Sequence, residues 1–334
     1  MRVLILGGTV FLSRATAAEA VGRGHQVTCL ARGQSGSVPP GAQLVRADRS
    51  GGPATYDELT GEWDEVVDVS WDPTHVREAV AALGPRSAHW TYVSSCSVYA
   101  DHDQPGADES APLLEPLGDQ SATIERYGEA KVACEQAVTA ALGDRALRCR
   151  AGLIGGPGDP SDRFGYWPAR FARDAEPVLA PDAPDCATQT IDVRDLAAWL
   201  VGAAERGVAG ARNAVGETIP LPEVVALARA AAGHRGELVA ADPAWLMEQG
   251  VEPWAGPDSL PLWLPPDAGY GGFARRSVDA ALADGLHRRP LSETLADTLA
   301  DERRAGLSRP RRAGLSPERE RQLVAAWRAR RAEP

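Results

Sequence analysis

At 334 residues the chain is long enough for one large or two ordinary domains with a sizeable core, which excludes a small stapled scaffold. Hydrophobic residues at 44% and charged residues at 24% fit a soluble folded protein, and 34 Gly with 26 Pro stay below low-complexity levels. A formal charge of −11 repels phosphate backbones and acidic membrane surfaces, so general nucleic-acid binding and membrane attachment are not expected.

The first apolar run starts at Val3 and stops at Gly7, too short for a secretory signal, and no stretch approaches the ~18 apolar residues of a membrane span; a cytoplasmic protein is expected. A glycine pair at 7 and 8 separates this strand, 3–6, from an Ala-rich helix over 11–23. Strands follow at 27–31, 43–47, 66–70 and 89–94, with helices at 73–83 and 121–142. Short apolar strands alternating with helices predict an α/β fold of the Rossmann kind, a doubly wound parallel sheet whose ligands lie at the carboxyl ends of its strands. A sixth strand, 147–153, runs into Gly155-Gly156-Pro157-Gly158-Asp159-Pro160, beyond which Pro and Trp become frequent. The run 189–193 and a helix over 194–206 read as a return to the sheet. The expected organisation is therefore a dinucleotide-binding domain over 1–158 with return segments near 186–215, a smaller interleaved substrate domain over 159–300, and an Arg-rich helical tail over 301–334. That tail carries R-A-G-L-S twice and reads either as a solvated or docked segment or as an electrostatic contact with an acidic surface.

The turn Gly7-Gly8-Thr9-Val10-Phe11-Leu12-Ser13-Arg14 lies where unpaired amides and the positive helix end make a pyrophosphate site. Of the three glycines usual in such turns only Gly7 is present; Val10 and Ser13 replace the others. A β-branched Val is ill suited to positive φ and brings methyl groups near the phosphates, whereas the Ser13 hydroxyl is placed to donate to one. Strand two ends at Arg32 without the acidic residue that accepts a ribose hydroxyl, and Arg14 and Arg32 supply positive charge where a 2′-phosphate sits, which favours NADP, with NAD as the alternative. Gly7, Thr9, Val10, Phe11, Leu12, Arg14 and Arg32, with Asp48 after strand three, Ser70 at the end of strand four and Lys131, form the candidate cofactor-binding set.

Of the 35 basic residues only Lys131 is a lysine. On the helix predicted over 121–142, Ile124, Tyr127, Lys131, Cys134, Val138 and Leu142 fall on one stripe, so Tyr127 and Lys131 share a face at i and i+4. An ammonium beside a phenol favours its ionised form and makes tyrosine usable as a proton donor near neutrality. Strand five ends in Ser94-Ser95-Cys96-Ser97, hydroxyls placed at the ligand-binding edge. The cysteines at 29, 96, 134, 149 and 186 form no C-x-x-C pair and have no His at metal spacing; they read as reduced packing residues, and no metal is expected.

Together G-G-T-V-F-L-S-R, S-S-C-S-V-Y, Y-G-E-A-K and Q-T-I-D-V-R-D-L-A resemble the extended short-chain dehydrogenase/reductase superfamily, in its NAD-dependent epimerase/dehydratase-like group, from Met1 to about Leu299. The resemblance implies Ser95 as the catalytic hydroxyl, Tyr127 as the acid/base and Lys131 on the nicotinamide ribose, and it makes helix pairing in a homodimer an expectation, with Ala130, Ala133, Ala137 and Ala141 as a small-residue edge. Trp167, Trp245, Trp254 and Trp263 suggest an apolar or aromatic substrate pocket, core packing being the alternative. The expected activity is NADP(H)-dependent reduction of a carbonyl on a small apolar or aromatic metabolite. The alternatives are a redox-neutral epimerase or dehydratase, or a non-catalytic cofactor-sensing or RNA-associated binding protein.

Overall fold

The structure, a computed structural model, describes residues 1–118 and 121–332. Its main sheet has seven strands: β1 (Arg2–Leu6), β2 (Gln26–Ala31), β3 (Gln43–Arg46), β4 (Trp63–Asp68), β5 (Ser87–Ser95), β6 (Ala146–Ala151) and one later strand from 210–214. Every pairing in it is parallel. Helices α1 (Phe11–Gly22), α2 (Pro73–Leu83) and α3 (Tyr127–Leu142) supply crossovers. The chain starts in the middle, at β1, runs outward through β2 to β3 and then returns to place β4 on the other side of β1. That reversal opens a crevice at the carboxyl ends of β1 and β4.

Both faces of the sheet are buried, which explains why its strands read as apolar runs rather than as alternation. Val3, Ile5, Val27 and Val93 pack beneath α1 on one face, while Leu4, Leu6, Val66, Trp90 and Tyr92 pack with Val76, Val80, Cys134 and Val138 of α2 and α3 on the other. α2 starts sharply because Pro73 sits in its first turn and the Asp72 carboxylate accepts from the backbone amide of Thr74 at 2.8 Å. All five cysteines are buried and free, as read from their spacing. Burial pushes the Cys96 thiol up to about 12.

Beyond β6 the chain builds a second core. The elements after β6 are β7 (Leu153–Gly155), α4 (Arg163–Arg173), β8 (Val178–Pro181), β9 (Ala187–Thr188), β10 (Thr190–Asp192), α5 (Val193–Arg206), β11 (Gly210–Ala214), β12 (Ile219–Pro220), α6 (Leu221–Ala232), β13 (Leu238–Ala241), α7 (Pro243–Glu248), β14 (Glu252–Trp254), β15 (Ser259–Pro261), α8 (Asp279–Ala283), α9 (Leu291–Ala305) and α10 (Pro317–Ala332), of which α5, β11 and α8 pack with the first core. The run read as a return to the sheet behaves otherwise: β10 pairs with the short β7, Thr190 opposite Leu153, and the strand that joins the main sheet is β11, beside β6. α5, which lies between them, packs on α1 and so belongs to the first core.

The Arg-rich segment docks. Leu315, Leu323 and Val324 are buried in the second core, and the buried Glu320 carboxylate accepts from Arg170, Arg173 and the amide of Leu179. No helix among the described residues is long and apolar enough to cross a membrane, and no three or more His, Cys, Asp or Glu side chains among them gather as a metal site does.

Candidate active site

Lys131 is 3% exposed, a burial that an ammonium tolerates only with acceptors. It has two: Nζ donates to the carbonyl oxygens of Ser70 at 2.9 Å and Val93 at 2.7 Å, at the carboxyl ends of β4 and β5. An ammonium carries three protons, so one stays uncommitted. The same nitrogen lies 4.8 Å from the ring centre of Tyr92 and 5.9 Å from that of Tyr127. Tyr92 is not a second proton donor to the site: its hydroxyl is spent on the Ser70 carbonyl at 3.0 Å, and burial holds that phenol well above its ordinary range.

Tyr127 is half-buried and stands first in α3. The helix predicted from 121 starts six residues later, after a 3-10 turn at Ile124–Arg126, and Ile124 is 71% exposed, so it leaves the apolar stripe. The reason lies in Gly128. A Cβ there would stand 2.4 Å from the carbonyl oxygen of Ser97 and 2.6 Å from Leu114, so only glycine lets the start of α3 press onto the hydroxyl turn that follows β5. This contact brings Tyr127 and Ser95 to one cavity, and its sequence signal was the small residue directly after the tyrosine.

Within that turn Ser95 Oγ donates to Ser97 Oγ at 3.1 Å and accepts from the Ser97 amide at 3.1 Å. Ser94 is buried, and its hydroxyl finds no partner among the described residues. Ser95, Ser97 and Tyr127 line a cavity of about 690 Å³, with Phe11, Leu114, Leu153, Ile154, Trp254 and Phe273 among its apolar walls. Of the four tryptophans considered for the pocket, only Trp254 reaches it; Trp167, Trp245 and Trp263 belong to the second core. Arg163, which the sequence reading passed over, lines the cavity as well.

A second cavity of about 360 Å³ lies over β1 to β3 and is lined by Gly7, Thr9, Val10, Ser13, Arg32, Asp48 and Ser50. Gly7 and Gly8 take φ of 137° and 102°, and a Cβ on Gly8 would stand 2.4 Å from Cys29 Sγ, so both glycines are required by the turn. Val10 is spared positive φ, at −135°; the left-handed residue is Phe11, at 40°. Backbone strain thus sits on the residue that passes from the second cavity to the first. The Ser13 hydroxyl is not free for a phosphate, since it donates to the Val10 carbonyl at 2.8 Å.

The remaining candidates separate. Arg32 lines the second cavity without a hydrogen bond or ion pair among the described residues, and Asp48 lines it with its carboxyl held below the usual carboxylate range by donation from Ser50. Arg14 lies outside both linings, its Nε donating to the Ser37 carbonyl at 3.1 Å. Leu12 is buried in the first core, and Ser70 acts through its carbonyl oxygen. Arg49, which also lines the cavity, holds the buried Asp68 through two bonds at 2.7 and 2.9 Å, fixing the ends of β3 and β4.

Residues 72–216, which include Tyr127, Lys131 and Ser95, match the model of the NAD dependent epimerase/dehydratase family. Over that stretch, somewhat under half of its length, the chain is similar to this family. No curated protein matches the chain. Solved structures do. A candidate epimerase from Burkholderia cenocepacia J2315 is 23% identical, with 91% of this chain and 98% of that one covered and a TM-score of 0.68. The protein gox2253 is 22% identical, with 92% and 99% covered and a TM-score of 0.71. UDP-glucose 4-epimerase of Thermus thermophilus, solved with NAD, is 19% identical, with 92% and 100% covered and a TM-score of 0.65. At these identities the likeness is one of fold. The small-residue edge of α3 is partly used within the subunit, since Ala130 and Ala133 are buried beneath Leu117.

Proposed function

We propose that the protein is an NADP(H)-dependent oxidoreductase that reduces the carbonyl group of a small apolar or aromatic metabolite. One observation carries the reading: Ser95 and Tyr127 line a single cavity with largely carbon walls, and the only lysine is fixed behind the tyrosine by two carbonyl oxygens.

The residues present fit a dinucleotide. Val10, at the N-cap of α1, contributes no side-chain acceptor to the first-turn amides, which leaves them for a pyrophosphate. Arg32 has no ion-pair partner among the described residues and lines the second cavity, a cation suited to a 2′-phosphate, and this favours NADP over the NAD of the family's description. When bound, a reduced nicotinamide supplies the hydride.

The protein's part is position and proton. Ser95 donates to the substrate carbonyl oxygen once its hydroxyl turns from Ser97, holding the carbonyl beside Tyr127. Tyr127 gives its proton to that oxygen as the carbon receives the hydride, so the ketone becomes an alcohol. The uncommitted proton of Lys131 would hold the ribose of the cofactor, and Tyr127 recovers its proton from solvent.

A redox-neutral epimerase or dehydratase is the second reading, and the family match favours it. The two separate in an assay that supplies candidate ketones with NADPH and follows reduced-nicotinamide absorbance alongside product mass. Equimolar NADPH loss with a product gaining two hydrogens supports reduction; product of unchanged mass with no NADPH consumed selects the alternative.

A further inference from the structure

On the cavity wall Arg163 stacks over the Trp254 indole, 4.9 Å from its centre, and Trp254 meets Phe273 edge-on at 5.4 Å. Among the described residues the guanidinium donates only through Nε, to Ser161 Oγ at 3.3 Å, and its two terminal nitrogens have no acceptor. A planar donor fork, half-buried, flattened on an indole and left open toward a cavity is built to receive a planar anion.

The other charges of the cavity say which anion. Glu129 is paired with Arg126 at 3.3 Å, and Glu125 is exposed. Asp159 accepts from the Ser161 amide at 2.8 Å and hydroxyl at 2.9 Å and forms no ion pair with Arg163. One open cation with a carboxylate nearby suits a single negative charge and disfavours a dianionic phosphate.

Both members of the stacked pair are also held from behind by the segment after α9. Asp162, directly before Arg163, takes left-handed φ of 62°, and its carboxylate accepts from Arg309 and from the Arg312 amide at 2.8 Å. Trp254 too is left-handed, at φ 70°, in a segment gripped where the Gly314 amide donates to Ser259 Oγ at 3.0 Å and the Gly256 carbonyl at 3.2 Å. Two strained backbone positions fixed by one docked tail keep the guanidinium and the indole in register.

We propose that Arg163, stacked on Trp254, binds a carboxylate of the substrate, so that the carbonyl compound taken by this site is a monoanionic oxo acid with an apolar or aryl remainder. The substrate class rests on the reductase reading, but the anchor itself is a matter of binding. Titration calorimetry of the full chain with benzoylformate and with its methyl ester, without cofactor and again with NADP⁺, tests it. The acid should bind about tenfold or more tightly than the ester, the scale of one charge-assisted pair. Arg163→Gln should abolish the difference, and Arg163→Lys should keep part of it. Equal binding of acid and ester, no saturable binding of the acid, or a preference that survives in R163Q overturns the proposal. The comparison on unaltered protein holds whether or not R163Q folds. A preference for the acid without NADPH consumption would leave the anchor standing and refute the reductase reading. NADPH consumption on neutral ketones with no preference for acids would do the reverse.

Discussion

The two ends of the crevice are held in different ways. At the end proposed to be catalytic each group is fixed by several neighbours: Lys131 by two carbonyls, Tyr127 by the glycine that follows it, Ser95 by its hydroxyl turn. At the end proposed to hold phosphate, Val10 is 38% exposed at the cavity, the left-handed position has moved to Phe11, and Ser13 is spent on backbone. The first arrangement is rigid before any ligand arrives; the second leaves methyl groups where close approach is wanted. Chemistry should therefore be demanding of single atoms, and cofactor grip should be adjustable.

The largest effect expected is at the catalytic end. Tyr127→Phe should lower turnover by about 10² or more, the scale of losing a positioned proton donor, with the cofactor dissociation constant unchanged. Steady-state rates beside fluorescence titration of NADPH decide it, and unaltered turnover would remove Tyr127 as the acid. Next comes Gly128→Ala, whose methyl group meets the Ser97 backbone; a loss of about 1–3 kcal/mol in stability, with a rise in KM as Tyr127 and Ser95 part, is expected from denaturant unfolding and kinetics.

Why was the catalytic end so much more legible in sequence? Tyr127 and Lys131 are four apart on a helix, and the lysine stands alone among 35 basic residues, so local spacing announced the pair. The sheet was legible for a similar reason, as strands buried on both faces are continuous apolar runs. What escaped depended on contacts distant in sequence. β11 reads Gly-Ala-Arg-Asn-Ala and carries too few large apolar residues to announce a strand, while β10 looked like one and pairs elsewhere. Burial of three tryptophans in the second core, and docking of the Arg-rich tail through Glu320 and Leu323, are settled by partners more than a hundred residues away in several cases. Arg163 was hidden in the same way, since its open face depends on Trp254 and on Arg309 behind Asp162.

The phosphate end gives smaller expected effects. Arg32→Asp should erase a preference for NADP(H) by weakening its binding about tenfold relative to NAD(H), because the new carboxylate repels a 2′-phosphate and accepts from a ribose hydroxyl. Paired titrations with both cofactors check this, and tighter binding of NADH by the unaltered protein would defeat the premise. The smallest effect is Val10→Gly. Its φ of −135° needs no glycine, so the gain comes only from clearing methyl groups, and NADPH should bind roughly threefold more tightly with turnover little changed. An unchanged or weaker affinity would show that Val10 does not crowd the phosphates.

Net reduction is most directly tested with NADPH deuterated on each face of C4 in turn, supplied with a ketone substrate. One of the two labelled cofactors should deliver its deuterium to the new carbinol carbon, one atom for each NADPH consumed. A product formed with no deuterium from either, unchanged in mass and without loss of NADPH, would contradict it.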